Sequence, residues 1–386
     1  MPGPGIQPRL GPRWTFALIF LCLFSSLGAE EIPCVWAGVE KIVAVGDLHG
    51  DYNNFVKILK GTGMVSDGLH WAGGRTHLVQ TGDVLDRGPD AKKIFDLMIT
   101  LEKEAITAGG QFHFLIGNHE EMNITGITFD YPGNVVVEQF VSFLRAGYRQ
   151  KREKEFRKLA DKEAPPGPRP LVDSVERFRK YWADEIKNDP QARTEYLVNF
   201  NEKYGKWILK HNAVVKINDV VFAHGGISER FSKWKLEDIN DTLRLELEIF
   251  RVNIVSGVPL PLAFTPKIVY VSDGPLWDRE LAREDEKAFQ PEVDQILAAL
   301  EAKYMVVAHT PRIVHSKEDM SRFQGKIWII DTGISEVYGG HPSALIIEGD
   351  NFSVWGVKND KKNPDLLNAF RGGILRLLDF RLEPAG

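Results

Sequence analysis

Short apolar runs recur along this chain, each closed by a cluster of glycine and polar residues. Residues 41–46 (KIVAVG) read as a buried strand that ends in Asp47, Leu48, His49, Gly50 and Asp51. A helix follows, with Tyr52, Phe55, Val56 and Leu59 at helical spacing, Asp51 as N-cap, and Gly61 and Gly63 as its stop. A second strand over 76–82 ends in Gly82, Asp83, Asp86 and Arg87. Pro89 then sits near the start of a helix that places Ile94, Phe95, Met98 and Leu101 on one face. A third strand, 111–116, ends in Gly117, Asn118, His119 and Glu120. Three units of strand, polar cluster and helix in succession predict neighbouring strands joined by right-handed crossovers.

The pattern changes over 130–207, where the string KREKEFRK and the proline-rich stretch 164–170 (APPGPRP) occur. This segment reads as a mostly helical insertion with a loop in it, its charge run a solvated helix face in preference to a docking surface. The strand signal returns at 213–223, where Asn218-Asp219 marks a hairpin turn, and closes in His224-Gly225-Gly226. Residues 272–279 (SDGPLWDR) read as a loop over the site. Pro291 reads as the opening of a helix with Val293, Ile296, Leu297 and Leu300 inward. Strands at 304–308 and 326–330 end in His309-Thr310-Pro311 and Asp331-Thr332-Gly333, and 344–347 with 352–357 form a terminal hairpin. With no linker or repeat between these pieces, 40–357 reads as one domain carrying the 130–207 insertion. A tail, 358–386, follows with a weak amphipathic pattern.

Composition narrows the class. A chain of 386 residues with 43% apolar and 26% charged residues can bury a sizeable core. A net charge of -5 and a pI near 6.1 give no basic footprint for nucleic acid. Cys22 and Cys34 are the only cysteines, which excludes a disulfide scaffold and argues against a thiolate metal site. Arg9 and Arg13 precede an apolar run over 14–27 that ends in small residues, the pattern of a signal peptide over 1–28. The run is shorter than the ~20 residues of a membrane span. Export to a periplasm, the exterior or a secretory lumen is expected, without a stable membrane span after cleavage; an uncleaved signal anchor is the alternative.

Five strand ends present Asp47 and His49, Asp83, Asn118 and His119, His224, and His309. Taken singly, an aspartate there is a helix cap and a histidine a packed core residue. Their recurrence in order after successive strands is what points to chemistry. Oxygen and imidazole donors without sulfur suit manganese, iron or zinc. The candidates outnumber a closed tetrahedral site and suffice for two divalent ions that share one carboxylate.

The strings GDLHG (46–50), GDVLDRG (82–88), GNHE (117–120), HGG (224–226) and AHT (308–310) resemble the calcineurin-like metallophosphoesterases, and within them the phosphoprotein phosphatases. The resemblance implies an α/β (α+β) fold, a four-layer sandwich of two mixed β-sheets flanked by helices. It assigns Asp47, His49 and Asp83 to one metal, and Asp83, Asn118, His224 and His309 to the other, manganese being favoured. It makes His119 the general acid, oriented by Asp86, and gives phosphate binding to Arg87 and Asn118, with Arg279 as a looser match for a second arginine. The implied reaction is hydrolysis of a phosphoprotein ester, on serine/threonine or tyrosine, by water shared between the metals. A dinucleoside polyphosphate or nucleotide hydrolase is the enzymatic alternative, and an inactive phosphoprotein-binding member the other. The chain lacks a SAPNYC-type segment and has IDTGISEVYGGHP at 330–342, which resembles the Shewanella-like protein phosphatase branch, so regulatory-subunit docking does not transfer.

Overall fold

The strand Ile42–Val45 is buried along its whole length, and alternation sends its residues to two different environments. Ile42 and Ala44 join an apolar cluster with Val215, Phe222, Val306 and Trp328. Val43 and Val45 join another, with Phe55, Ile58 and Phe95 from helices. A strand apolar on both faces needs a cover on each side, and here a second sheet and a helical layer provide it.

The computed structural model describes residues 32–163 and 185–357. The leader 1–28, the proline-rich stretch 164–170 and the tail 358–386 lie outside the described residues. The first half contains β1 (Val35–Trp36), β2 (Ile42–Val45), α1 (Tyr52–Gly61), β3 (His77–Gln80), α2 (Ala91–Thr107), β4 (Gln111–Phe114), α3 (Asn118–Thr125), α4 (Val137–Phe143), α5 (Ala146–Glu163) and α6 (Pro190–Phe200). The second contains β5 (Val214–Ile217), β6 (Val220–Ala223), α7 (Leu236–Ser256), α8 (Glu286–Ala299), β7 (Tyr304–Val307), β8 (Ser321–Arg322), β9 (Ile327–Ile329), β10 (Ala344–Glu348) and β11 (Asn351–Trp355). One sheet has the order β11-β10-β2-β3-β4 and the other β1-β5-β6-β7-β9-β8, and both mix parallel with antiparallel pairs. The three leading strands are parallel neighbours, with Val43 opposite Leu78 and Leu78 opposite Phe112. On the outer side of the second sheet, Val214 and Val221 pack with Ile239, Leu243 and Leu247 of α7 and Val293 of α8. Helices, two mixed sheets and helices therefore stack as expected.

The two sheets meet at their site-bearing ends. A Cβ on Gly46, just past β2, would lie 2.4 Å from the Ile330 carbonyl oxygen just past β9. Glycine there lets the strand ends close up.

Three local readings change. The helix read as opening at Pro291 begins at Glu286, because the Asp285 side chain accepts from the Ala288 N–H at 2.9 Å and caps it. Pro291 lies inside that helix but is exposed, so the carbonyl left by its missing N–H can bond water. In α1, Ile58 is buried in place of the half-buried Val56. Helix α7, 21 residues long, falls in a stretch to which the strand and motif pattern assigned nothing.

The 130–207 insertion is solvated only in part. On α5, Lys151, Lys154 and Lys158 are exposed. By contrast α4 and α6 bury Phe140, Phe143, Tyr196 and Phe200 in the main core. Among the described residues, no helix is long and apolar enough to cross a membrane.

Candidate active site

Strand ends converge on one buried cluster. Past β2 stand Asp47 and His49; past β3, Asp83, Asp86 and Arg87; past β4, Asn118 and His119 on the first turn of α3; past β6, His224; past β7, His309. The backbone pays for this crowding, since His49, Asp83, Asp86, Arg87 and His309 hold φ of 40°, 56°, 69°, 68° and 62°. Such left-handed conformations in non-glycine residues persist only where surrounding contacts fix them. Here the contacts are visible. The N–H groups of Leu48 and His49 donate to the Asp83 carbonyl at 3.0 and 2.9 Å, and Gly50 N–H donates to Val84 O at 2.8 Å. The fully buried Glu120 carboxylate accepts from the N–H groups of Asp83 (2.7 Å), Val84 (2.9 Å) and Gly117 (3.0 Å). Gly50 and Gly88 touch back to back: a Cβ on Gly88 would stand 2.2 Å from His49 O, so no side chain fits there.

The two oxygens of Asp83 face two different histidine groups. Its Oδ2 lies 3.8 Å from His49 Nε2 and 3.9 Å from His119 Nε2, while Oδ1 lies 3.3 Å from His224 Nε2. Ligand-capable atoms of His49, Asp83 and His119 lie within 4.8 Å of one another, as do those of Asp83, His224 and His309. His224 Nε2 is also 2.9 Å from Asn118 Oδ1 and 3.2 Å from His309 Nδ1. Asp47 stands beside these groups, with Oδ1 3.8 Å from His224 Nδ1, and its carboxyl neighbours that of Asp331.

These residues fit divalent cations. Several lone pairs converge on one imidazole nitrogen, and His309 Nε2 is buried without a partner. Burial drives Asp47 well above the ordinary carboxylate range, with the charges of Asp331 and Asp83 adding to it. Asp331 is pushed up to about 6, chiefly by burial. Burial also acts upward on Asp83, but the imidazoles of His224, His119 and His49 outweigh it and hold that carboxyl well below its usual value. Burial, then the charge of His119, pushes His49 down to about 3. His49 and His309, both driven down by burial, and the crowded buried carboxylates beside them are a donor set that positive ions would relieve.

Beside this cluster lies a histidine–aspartate pair. His119 Nδ1 is 2.7 Å from Asp86 Oδ2, which leaves Nε2 toward Asp83. Burial works against a charged His119, yet the Asp83 charge and the Asp86 hydrogen bond raise it above the ordinary imidazole value. Burial likewise acts upward on Asp86, and hydrogen bonds from His119, Gln139 and Asn123 overcome it. Arg87 is half-buried with its Nε unpartnered. Arg279 is held at the His309 turn, where Nη1 donates to His309 O at 2.9 Å and Thr310 Oγ1 at 3.0 Å.

The sequence pattern missed several contributors. Asp331 ends a strand like the others, so its place was legible but its contact with Asp47 was not. Asn123, Thr128 and Gln139, all fully buried, bond Asp86 from outside any strand end. The histidines left aside have ordinary settings, among them His77 with His113 at 2.9 Å and His211 with Glu102 at 2.9 Å.

Residues 40–312 match the sequence model of the family described as calcineurin-like phosphoesterase. Shewanella-like protein phosphatase 1 of Plasmodium berghei (strain Anka) is 29% identical over 304 residues, 78% of this chain and 68% of that protein. Shewanella-like protein phosphatase 2 of Arabidopsis thaliana is 32% identical over 233 residues, 58% of this chain and 56% of that one. A crystal structure of a cold-active protein-tyrosine phosphatase of a psychrophilic Shewanella species superposes with a TM-score of 0.57 at 22% identity, covering 85% of this chain and 81% of its own. At that identity the likeness speaks for the fold alone.

Proposed function

The chain belongs to the calcineurin-like phosphoesterase family, and from that premise we propose that it is a phosphoprotein phosphatase using two divalent cations, manganese first among them. The observation that carries this is Asp83, whose two oxygens address separate histidine groups while the His119–Asp86 pair stands next to one of them. Asp47, His49 and Asp83 would hold one cation, and Asp83, Asn118, His224 and His309 the other. Bound there, the cations supply an acidified water and positive charge for the phosphoryl oxygens. Arg87 grips the phosphate with its planar fork, aided by Asn118, and Arg279 adds a second guanidinium from the His309 turn. His119, its Nδ1 held by Asp86, turns Nε2 to the leaving oxygen. As the ester P–O bond breaks, its electron pair stays with that oxygen, and the proton on Nε2 moves to it. Cys34 offers no rival nucleophile, because burial and then Glu237 push its thiol up to about 12.

On manganese-loaded protein, phosphate release from phosphoserine, phosphothreonine and phosphotyrosine peptides is expected to outpace hydrolysis of diadenosine tetraphosphate. The order among the three peptides assigns the substrate class. Faster cleavage of the dinucleotide would favour a nucleotide hydrolase, and bound metal without turnover of any ester would favour a silent binding protein. We also propose export, on the strength of the 1–28 pattern. N-terminal sequencing of the mature protein is expected to begin near residue 29 or 30, and a soluble form beginning at Met1 would refute it.

A further inference from the structure

The segment that carries the charge run also reaches the acid pair. Gln139 on α4 and Tyr196 on α6 are fully buried, and their polar ends close a ring around Asp86. Gln139 Nε2 donates to Asp86 Oδ1 at 2.9 Å and to the Tyr196 phenol oxygen at 3.0 Å. That phenol donates to Asn123 Oδ1 at 2.7 Å, and Asn123 Nδ2 reaches both Asp86 oxygens at 3.1 Å. Gln139 Oε1 accepts the Asp86 backbone N–H at 2.7 Å, and Asn123 Nδ2 also donates to His119 O at 2.9 Å.

A phenol has one proton, and here it accepts from one amide and donates to the other. It thereby fixes which end of each amide faces Asp86. Either amide turned over would set a carbonyl oxygen against the carboxylate. Burial, and then the Asp86 charge, pushes the phenol well above its ordinary value, so it stays an O–H donor. Its ring is clamped by Phe140, stacked at 5.2 Å, and by Phe129 and Phe143 edge-on at 5.4 and 5.5 Å.

We propose that Tyr196, acting through Gln139 and Asn123, is a positioning residue for the His119–Asp86 pair, which makes this helical segment a working part of proton delivery to the leaving group. The proposal rests on the phosphatase reading above. Two esters of one shape separate it from a packing role, since p-nitrophenolate departs without a proton whereas phenolate needs one. Tyr196→Phe keeps the ring and removes only the hydroxyl. Its kcat on phenyl phosphate is expected to fall about tenfold, with less than about a twofold change on p-nitrophenyl phosphate and KM unmoved on both. Gln139→Met should show the same selectivity, larger in size. In a His119→Gln background, Tyr196→Phe should cost nothing further, because its effect runs through the acid. Thermal melts of each variant report folding separately. Equal losses on both esters, no loss on either, or a full second loss in the His119→Gln background would overturn the proposal alone. A metal-loaded wild type silent toward both esters would overturn the phosphatase reading, and this proposal with it.

Discussion

Asparagine at position 83 is expected to lower kcat/KM about a thousand-fold or more, ~4 kcal/mol at roughly 1.4 kcal/mol per decade, and to leave the protein short of metal. The shape of the side chain barely changes, so the loss isolates charge and lone pairs. Asp83 Oδ1 accepts the His119 N–H at 3.0 Å, and an asparagine oxygen can keep that bond. The other position then becomes an NH2 group, which turns protons toward His49 and His119, where Oδ2 now lies 3.8 and 3.9 Å from their Nε2 atoms. One of the two groups thus loses its carboxylate oxygen and gains a donor that repels a cation. Two measurements check this on the same sample: metal content per chain and phosphate release under saturating manganese. Reduced metal with most turnover lost is the expected pair. Full turnover with two ions per chain would mean that Asp83 is not shared.

Asp83 also shows how far the sequence could be read. Its strand, like β2, sends apolar residues to both faces, and that leaves a short run which ends abruptly in polar residues. Asp47, His49, Asn118, His224 and His309 stand at such ends too, so their gathering followed from the order of strands. Family motifs then divided them into roles that strand order could not supply. Contacts between the two sheets were illegible, because Asp331 meets Asp47 only once the strand ends interdigitate at Gly46. Tyr196 was hidden for a different reason. It belongs to a helix whose neighbours in sequence are charged, and its partners Asn123 and Gln139 lie far from it along the chain. A side-chain hydrogen bond across such a separation leaves no periodic trace. Helix α7 was legible and unread: Leu236, Ile239, Leu243 and Leu247 recur at three- and four-residue spacing.

The two tasks open to His119 are separated by His119→Gln. Geometry groups its Nε2 with His49 and Asp83 closely enough to be a ligand, while its Nδ1 hydrogen bond to Asp86 marks it as an acid. As an acid, its loss is expected to cost about 10²–10³-fold on phenyl phosphate and about tenfold or less on p-nitrophenyl phosphate, whose phenolate leaves unaided. Metal content should stay at the wild-type level, since the assigned ligands remain. The fold should also tolerate the change. Asp86 keeps its bonds from Gln139 at 2.9 Å, Thr128 at 3.0 Å and Asn123 at 3.1 Å, so no buried carboxylate is stripped of partners. If metal is lost together with activity on both esters alike, His119 is a ligand, and proton delivery must come from elsewhere. If metal stays and only the ester with the poor leaving group suffers, the strand end at Asn118 contributes one residue to the cations and the next to the departing oxygen. The chemistry would then be divided at a single peptide bond, which is why the backbone there is pinned so tightly by Glu120 and Asp83.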